Sequence, residues 1–217
     1  MGISTGGVIV FQVSTLHVQA TPAFCDVEID LPESMTITSA EFESLCRQNP
    51  NLKAELSREG NLTIMSPTGG SSGWRNLEVS SVVWNWAREN QSGIAFDSST
   101  VFALPNGARR GPDVAWIKRE RWDALTQDEK DGFPPLCPDF VVELRSKTDR
   151  LDRLQDKLAE FIANGAVLGF LIDPFDRCVH VFRPDREPLV ILKPDSVSAD
   201  PELPGLTIAL VRIWGDG

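Results

Sequence analysis

Residues 138–174 read PDFVVELRSKTDRLDRLQDKLAEFIANGAVLGFLIDP, which sets a short apolar run, a charged amphipathic segment and a second apolar run in immediate succession. This order predicts a buried strand, a helix from about Leu151 to Ala163, and another buried strand. The first strand ends in an acid. Phe140, Val141, Val142 and Leu144 belong in an interior, and an ionised Glu143 beside them is costly unless a cation or hydrogen-bond donors meet it. Arg145, two positions on and on the same strand face, offers one answer: a structural ion pair. A second carboxylate repeats the pattern in mirror image, because Asp113 in GPDVAWI opens an apolar strand directly after Gly-Pro. Taken alone, Asp113 reads equally as a turn or Asx cap. Two carboxylates at the ends of neighbouring strands can also converge on one point, and two such oxygens plus water suit a magnesium ion.

The remaining segments set these strands in a larger frame. TSAEFESLCRQNP predicts a short helix, capped by Thr38 or Ser39 and stopped by Asn49 and Pro50. LKAELSREGNLTIMSP alternates as a hairpin with REGN at its turn. SSGWRNLEVSSVVWNWAREN carries Leu77, Val79, Val82, Val83 and Trp86 at helical spacing. LPNGARRGP reads as a loop, the stretch from Lys118 to Cys137 as an irregular connection, and the C-terminal portion as β-rich. Trp74, Trp84, Trp86, Trp116 and Phe170 are expected in the core or in helix packing. The sum is an α/β (α+β) arrangement, with a central mixed β-sheet flanked by helices.

Composition narrows the chemistry. The formal net charge of −10 opposes a constitutive nucleic-acid coat, although it leaves room for a local basic cleft. The first lysine or arginine is Arg47, so no positive leader region precedes the apolar GGVIVFQV, and no run approaches the roughly 18 residues of a membrane span. The expectation is a cytoplasmic protein with no membrane partner. Cys25, Cys46, Cys137 and Cys178 are far apart without CxxC spacing, and His17 and His180 are the two histidines, which disfavours a zinc site or a disulfide framework. SPTGGSSG lacks the ending of a phosphate loop, and Ser146 has no histidine near it in sequence for serine-hydrolase chemistry.

AELSREGNLTIMSP, GPDVAWI, PDFVVELRSKTD, DRLQDKLAEFIANG and VLGFLIDP are weak signals singly, but in this order and spacing they form a fairly specific set. On them the chain resembles the Uma2 family of restriction-endonuclease-like proteins (DUF820), a bacterial branch of the PD-(D/E)XK nuclease superfamily. The resemblance runs from about Ala40 to Pro184. It implies a restriction-endonuclease-like fold over residues 36–217; residues 1–35, low in charge and punctuated by Pro22 and Pro32, read as an N-terminal arm that forms a loose segment or edge strand.

The resemblance also assigns roles. Asp113 is similar to the family's first metal-binding aspartate and Glu143 to its second acidic residue, with the carbonyl of Leu144 joining them around Mg²⁺ or Mn²⁺; Glu55 is similar to an acid from the N-terminal part of the fold, which would hold a second ion or an aquated first one. The lysine expected two residues after Glu143 is absent. Arg145 stands there, able to neutralise phosphate charge or to pair with Glu143, but unfit as a base because it stays protonated. With Leu154 at the centre of the helix's apolar face, Lys157 lies roughly 60° to one side and can snorkel towards the strand end; the family resemblance places a lysine at this position too. Its alternative is a solvated lysine pairing with Asp156 or Glu160. Beside a metal and in a partly apolar setting its pKa could fall, so that it orients or activates water.

The activity so implied is metal-dependent hydrolysis of DNA phosphodiester bonds, with double-stranded DNA the expected partner. Arg109 and Arg110 are candidates for backbone phosphate contacts or else solvated loop residues. The chain is expected to act as a homodimer whose contact lies in VIVFQV of the arm. The rival reading is a non-catalytic nuclease fold that binds a protein or nucleic-acid partner, which Arg145 in place of lysine favours and the three carboxylates oppose. A weaker third is a phosphoesterase acting on small nucleotides.

Overall fold

The computed structural model describes residues 27–29 and 36–215, so the VIVFQV segment and the dimer contact expected there lie outside the described residues. Strand β1 (Val27–Ile29) is followed by helix α1 (Ser39–Gln48). The Thr38 side chain accepts from the Glu41 N–H while the Glu41 carboxylate accepts from the Thr38 N–H, a reciprocal cap that starts the helix where the sequence predicts. The hairpin of β2 (Ala54–Leu56) and β3 (Leu62–Ile64) also forms, turning at Gly60 with φ +89°. A β-carbon on Gly60 would lie 2.8 Å from Thr36 Cβ, so glycine is needed there twice over. Strand β1 pairs antiparallel with β3 as the edge of this small sheet.

Helix α2 (Gly70–Asn90) buries Val79, Val83 and Ala87, with Val82 and Trp86 partly covered. Leu77, expected on that face, is 68% exposed. It lies two residues, roughly 200°, from Val79 and therefore on the opposite side of the helix. Trp84 is also exposed, with Arg88 over its ring, whereas Trp86 packs on Trp116. Trp116 and Phe170 are core residues, as expected.

Strand β4 (Gly93–Asp97) leads to β5 (Phe102–Ala103) and β6 (Arg109–Arg110). The sequence reads LPNGARRGP as a plain loop, yet it is a hairpin: Gly107 at φ +94° closes the turn, and β6 pairs with both β5 and β2. After β7 (Val114–Lys118), the connection expected to be irregular holds two single-turn helices, α3 (Arg119–Asp123) and α4 (Gln127–Asp131), the latter with a Thr126–Glu129 capping box. Then come β8 (Phe140–Leu144), α5 (Leu151–Ala163), β9 (Leu168–Asp173), β10 (Cys178–Phe182), β11 (Leu189–Leu192) and the small hairpin β12 (Ser196–Ser198) with β13 (Thr207–Ala209).

The principal sheet has the order β11-β10-β9-β8-β7-β4. Strands β8 and β9 are parallel, joined by α5, and the other neighbours are antiparallel, so the sheet is mixed as the sequence predicts. Strand β8 alternates. Phe140, Val142 and Leu144 face α2 and the C-terminal hairpin, while Val141 faces Leu158 and Phe161 of α5. Complete burial of Leu158 and Phe161 contributes about 1.5–3 kcal/mol each. Glu143 falls on the α5 side by the same alternation. Position 143 is thus pressed between a sheet and a helix, where a charge needs a partner.

Candidate active site

Ala54 and Leu56 pack with Phe42 of α1, so the alternation of β2 turns Glu55 the other way. Its Oε1 accepts the Gly111 N–H at 3.0 Å, and its Oε2 lies 3.2 Å from the Arg110 guanidinium. Asp113 immediately precedes β7, and the register Val114↔Val142 sets it beside the end of β8. There its Oδ2 accepts the Leu144 N–H at 2.7 Å, and its Oδ1 accepts from Asn76 of α2 at 3.0 Å. From α5, Lys157 donates to the Gly111 carbonyl at 3.0 Å. The same ammonium lies 2.8 Å from Glu55 Oε1 and 2.9 Å from Glu143 Oε1.

One cation therefore bridges two carboxylates that come from different sheets. Lys157 does not pair with Asp156 or Glu160 on its own helix; Glu160 is taken by Arg110, at 2.5 Å, and by Asn106. Glu55, Asp113, Glu143, Leu144 and Lys157 are thus brought together, and all but Glu55 line a groove of about 900 Å³. A second hollow of about 860 Å³ shares Lys157, Thr148, Asp149 and Met65 with it and reaches Glu55.

The balance of charge is uneven. Burial opposes ionisation of Glu55, but Lys157 and Arg110 outweigh it and hold the carboxyl below its ordinary range. Burial pushes Asp113 up, against the hydrogen bond from Leu144. Glu143 is served worst. Burial pushes it up to about 8, and Asp113 and Glu55 add repulsion that Lys157 relieves only in part. Burial alone would lower the pKa of Lys157, but Glu143 and Glu55 raise it, so the ammonium is held protonated rather than brought down to the range of a base.

Other residues lie differently from expectation. Arg145 shares the face of Glu143 but does not pair with it; its guanidinium lies 2.6 Å from buried Asp173 and 3.4 Å from Asp176, which draw it along the sheet towards β9. Arg109 is tied to Glu43 of α1 at 2.9 Å, and Arg110 to Glu55 and Glu160. Neither is a freely solvated loop residue, because the hairpin turns both inward.

Two contributors escape the sequence reading. Asn76 lies on α2, remote in sequence from both carboxylates, and nothing in its local pattern separates it from an ordinary polar helix residue. Gly111 meets Lys157 and Glu55 through its backbone alone, which no side-chain pattern reveals.

The donor set suits a hard divalent ion. Glu143 Oε1 and Asn76 Oδ1 are buried without an aligned hydrogen bond, so the contact of Glu143 with the ammonium is one of charge rather than of a well-directed bond. Among the described residues no three His, Cys, Asp or Glu side chains form a cage for an ion. Magnesium does not require one, since it keeps several waters and needs only one or two carboxylates. Asp113 and Glu143 fit that demand, and Glu55 is committed to Lys157, Arg110 and Gly111.

A mixed sheet with α2 and α5 on opposite faces, and acids at the adjoining ends of β7 and β8, defines a restriction-endonuclease-like α+β protein. The sequence model of the Uma2 family, described as "Putative restriction endonuclease", matches residues 39–211, and the chain belongs to that family. Its fold is similar to that of a crystal structure from Anabaena variabilis, described as "a putative nuclease belonging to DUF820". The TM-score is 0.68 at 21% identity, covering 82% of this chain and 97% of that one. None of the curated proteins matches. Among the described residues no helix is long and apolar enough to cross a membrane.

Proposed function

We propose that the chain is a metal-dependent endonuclease that hydrolyses phosphodiester bonds of double-stranded DNA in the cytoplasm. The observation that carries this reading is the half-buried Lys157 ammonium, 2.9 Å from Glu143 and 2.8 Å from Glu55, beside Asp113 in an open groove. Asp113 and Glu143, with the Leu144 carbonyl, would hold Mg²⁺ or Mn²⁺, which supplies a Lewis acid that acidifies water and offsets phosphate charge. Asn76 and the Leu144 N–H fix the Asp113 carboxylate before substrate arrives, so little reorganisation is needed during reaction. Lys157 donates to the attacking water or to a non-bridging phosphate oxygen, and its charge is worth more in this buried setting than in solvent. Glu55, itself anchored by Arg110 and Gly111, holds Lys157 in place. Arg145 keeps the end of β9 in position through Asp173 and takes no direct part.

Single-turnover cleavage of plasmid DNA with Mn²⁺ tests the proposal. The unmodified chain is expected to nick or linearise the plasmid, and Asp113→Asn and Glu143→Gln each to slow this by about 10²-fold or more. The specific fact favouring the non-catalytic reading is that the arginine replacing the superfamily's usual lysine is locked on Asp173. DNA binding without cleavage in either Mg²⁺ or Mn²⁺ would establish that reading instead.

A further inference from the structure

With Arg109 and Arg110 both bound within the protein, other cations must meet the polyanionic backbone. We propose that Lys53 and Lys147, on two walls of the groove, are the phosphate contacts of the nucleic-acid substrate; this rests on the nuclease reading above. Both lysines line the groove that contains Asp113 and Glu143, and both are exposed. Among the described residues neither has an ion-pair partner, whereas Arg58 and Arg150 nearby are paired with Glu59 and Asp152.

Lys53 is anchored through its own backbone and Lys147 by the turn that carries it. Lys53 stands two residues before Glu55, on the strand's site-facing side, and its carbonyl accepts the Met65 N–H at 2.9 Å. Lys147 follows Glu143 by four residues in a turn that the Asp149 carboxylate closes on the Ser146 N–H at 2.7 Å. One lysine comes from the small sheet and the other from the connection between β8 and α5, so together they bracket the carboxylates. Exposed, unpaired charges contribute little to folding. On a chain of net charge −10 they instead set two unpaired positive charges at the mouth of the groove, where a phosphate chain can meet them. An ammonium meets phosphate as a point charge, tolerant of sequence, as backbone contacts need to be.

Fluorescence anisotropy with a labelled DNA duplex, measured over a salt series without divalent metal, tests this. Lys53→Ala with Lys147→Ala is expected to weaken binding at least about 10-fold and to flatten the slope of log affinity against log salt by about 1.8, or 0.9 for each lost phosphate contact. The melting temperature should not move, and the double Lys→Arg variant should bind as the unmodified chain does. A double-alanine variant with unaltered affinity and slope overturns the lysine assignment alone. If the unmodified chain fails to bind any nucleic acid at low salt, the nuclease reading falls and this proposal with it.

Discussion

Lys157 is the residue on which the site turns, because a single ammonium stands against buried Glu55 and Glu143 while half-buried Asp113 adds a third acid. Lys157→Ala should lower the cleavage rate by at least about 10²-fold while DNA affinity falls little, as judged by single-turnover kinetics beside anisotropy. It should also cost about 3–5 kcal/mol in urea unfolding, since two carboxylates lose their partner in the interior. Full activity in that variant would remove the lysine from the mechanism. Glu143 carries a pH signature. Its folded carboxyl titrates near 8, well above the ordinary range near 4.3, so between these values the folded chain holds a proton that the unfolded chain has released. Stability contributed by that proton is complete below pH 4 and is lost as pH rises towards 8. Asp113 acts in the same sense and Glu55 in the opposite one. The melting temperature of metal-free protein should therefore fall more steeply over pH 5–8 than that of Glu143→Gln, and a parallel decline in the two would refute the assignment. Mn²⁺ competes with the same proton, so its stabilising effect should grow with pH and vanish in Glu143→Gln. Arg145 separates two readings of one sequence position. Arg145→Lys can keep the contact with Asp173, so its cleavage rate should stay within a few-fold of the unmodified chain; Arg145→Ala should cost about 1–3 kcal/mol by stripping a buried acid. Lost cleavage in Arg145→Ala at unchanged stability would instead mean that Arg145 touches substrate.

At the scale of elements, the placement of Lys157 is inherited from the packing of α5 on the sheet. Leu158, the next residue, lies so close to β9 that a β-carbon on Gly169 would approach its Cδ2 to 3.1 Å. Gly169→Val should therefore lift the helix, cost about 1–3 kcal/mol by overpacking, and slow cleavage through misplacement of Lys157. Chemical denaturation and single-turnover rates read the two effects, and unchanged kinetics would show that the helix can move without disturbing its lysine. The register of α5 was legible in the sequence, because Leu154, Leu158 and Phe161 recur at helical spacing and Lys157 flanks them. The β5–β6 hairpin was not. Its two-residue strands are too short to show alternation, and pairing with β2 is a long-range event that propensity does not encode. Leu77 failed for a different reason, since the apolar spacing admits two overlapping faces and only packing against β4 and β7 selects one.

For the whole molecule, duplex cleavage in one encounter calls for two sites and hence for a two-fold pair of chains, with the arm around VIVFQV as the contact we propose. Light scattering of the full chain at micromolar concentration should give twice the monomer mass of 23.9 kDa, and removal of residues 1–26 should return it to one. A monomeric full chain, or a dimer that persists without the arm, would count against this. The sequence by itself determined the long helices and strands and which acids would need a partner. Apolar runs set the strands, capping residues the ends of α1, and a glutamate or aspartate at the edge of an apolar run announced a buried charge in need of a cation. Which cation answered each acid was decided only in three dimensions. Strand alternation offered Arg145 to Glu143, and a purely local rule would have accepted the pair. In the folded chain Asp173 lies on the adjoining strand and takes the arginine, while Lys157 arrives from α5 to bridge Glu143 and Glu55. Charges select partners by distance and desolvation, and both are properties of the assembled sheet and helix rather than of separation along the chain.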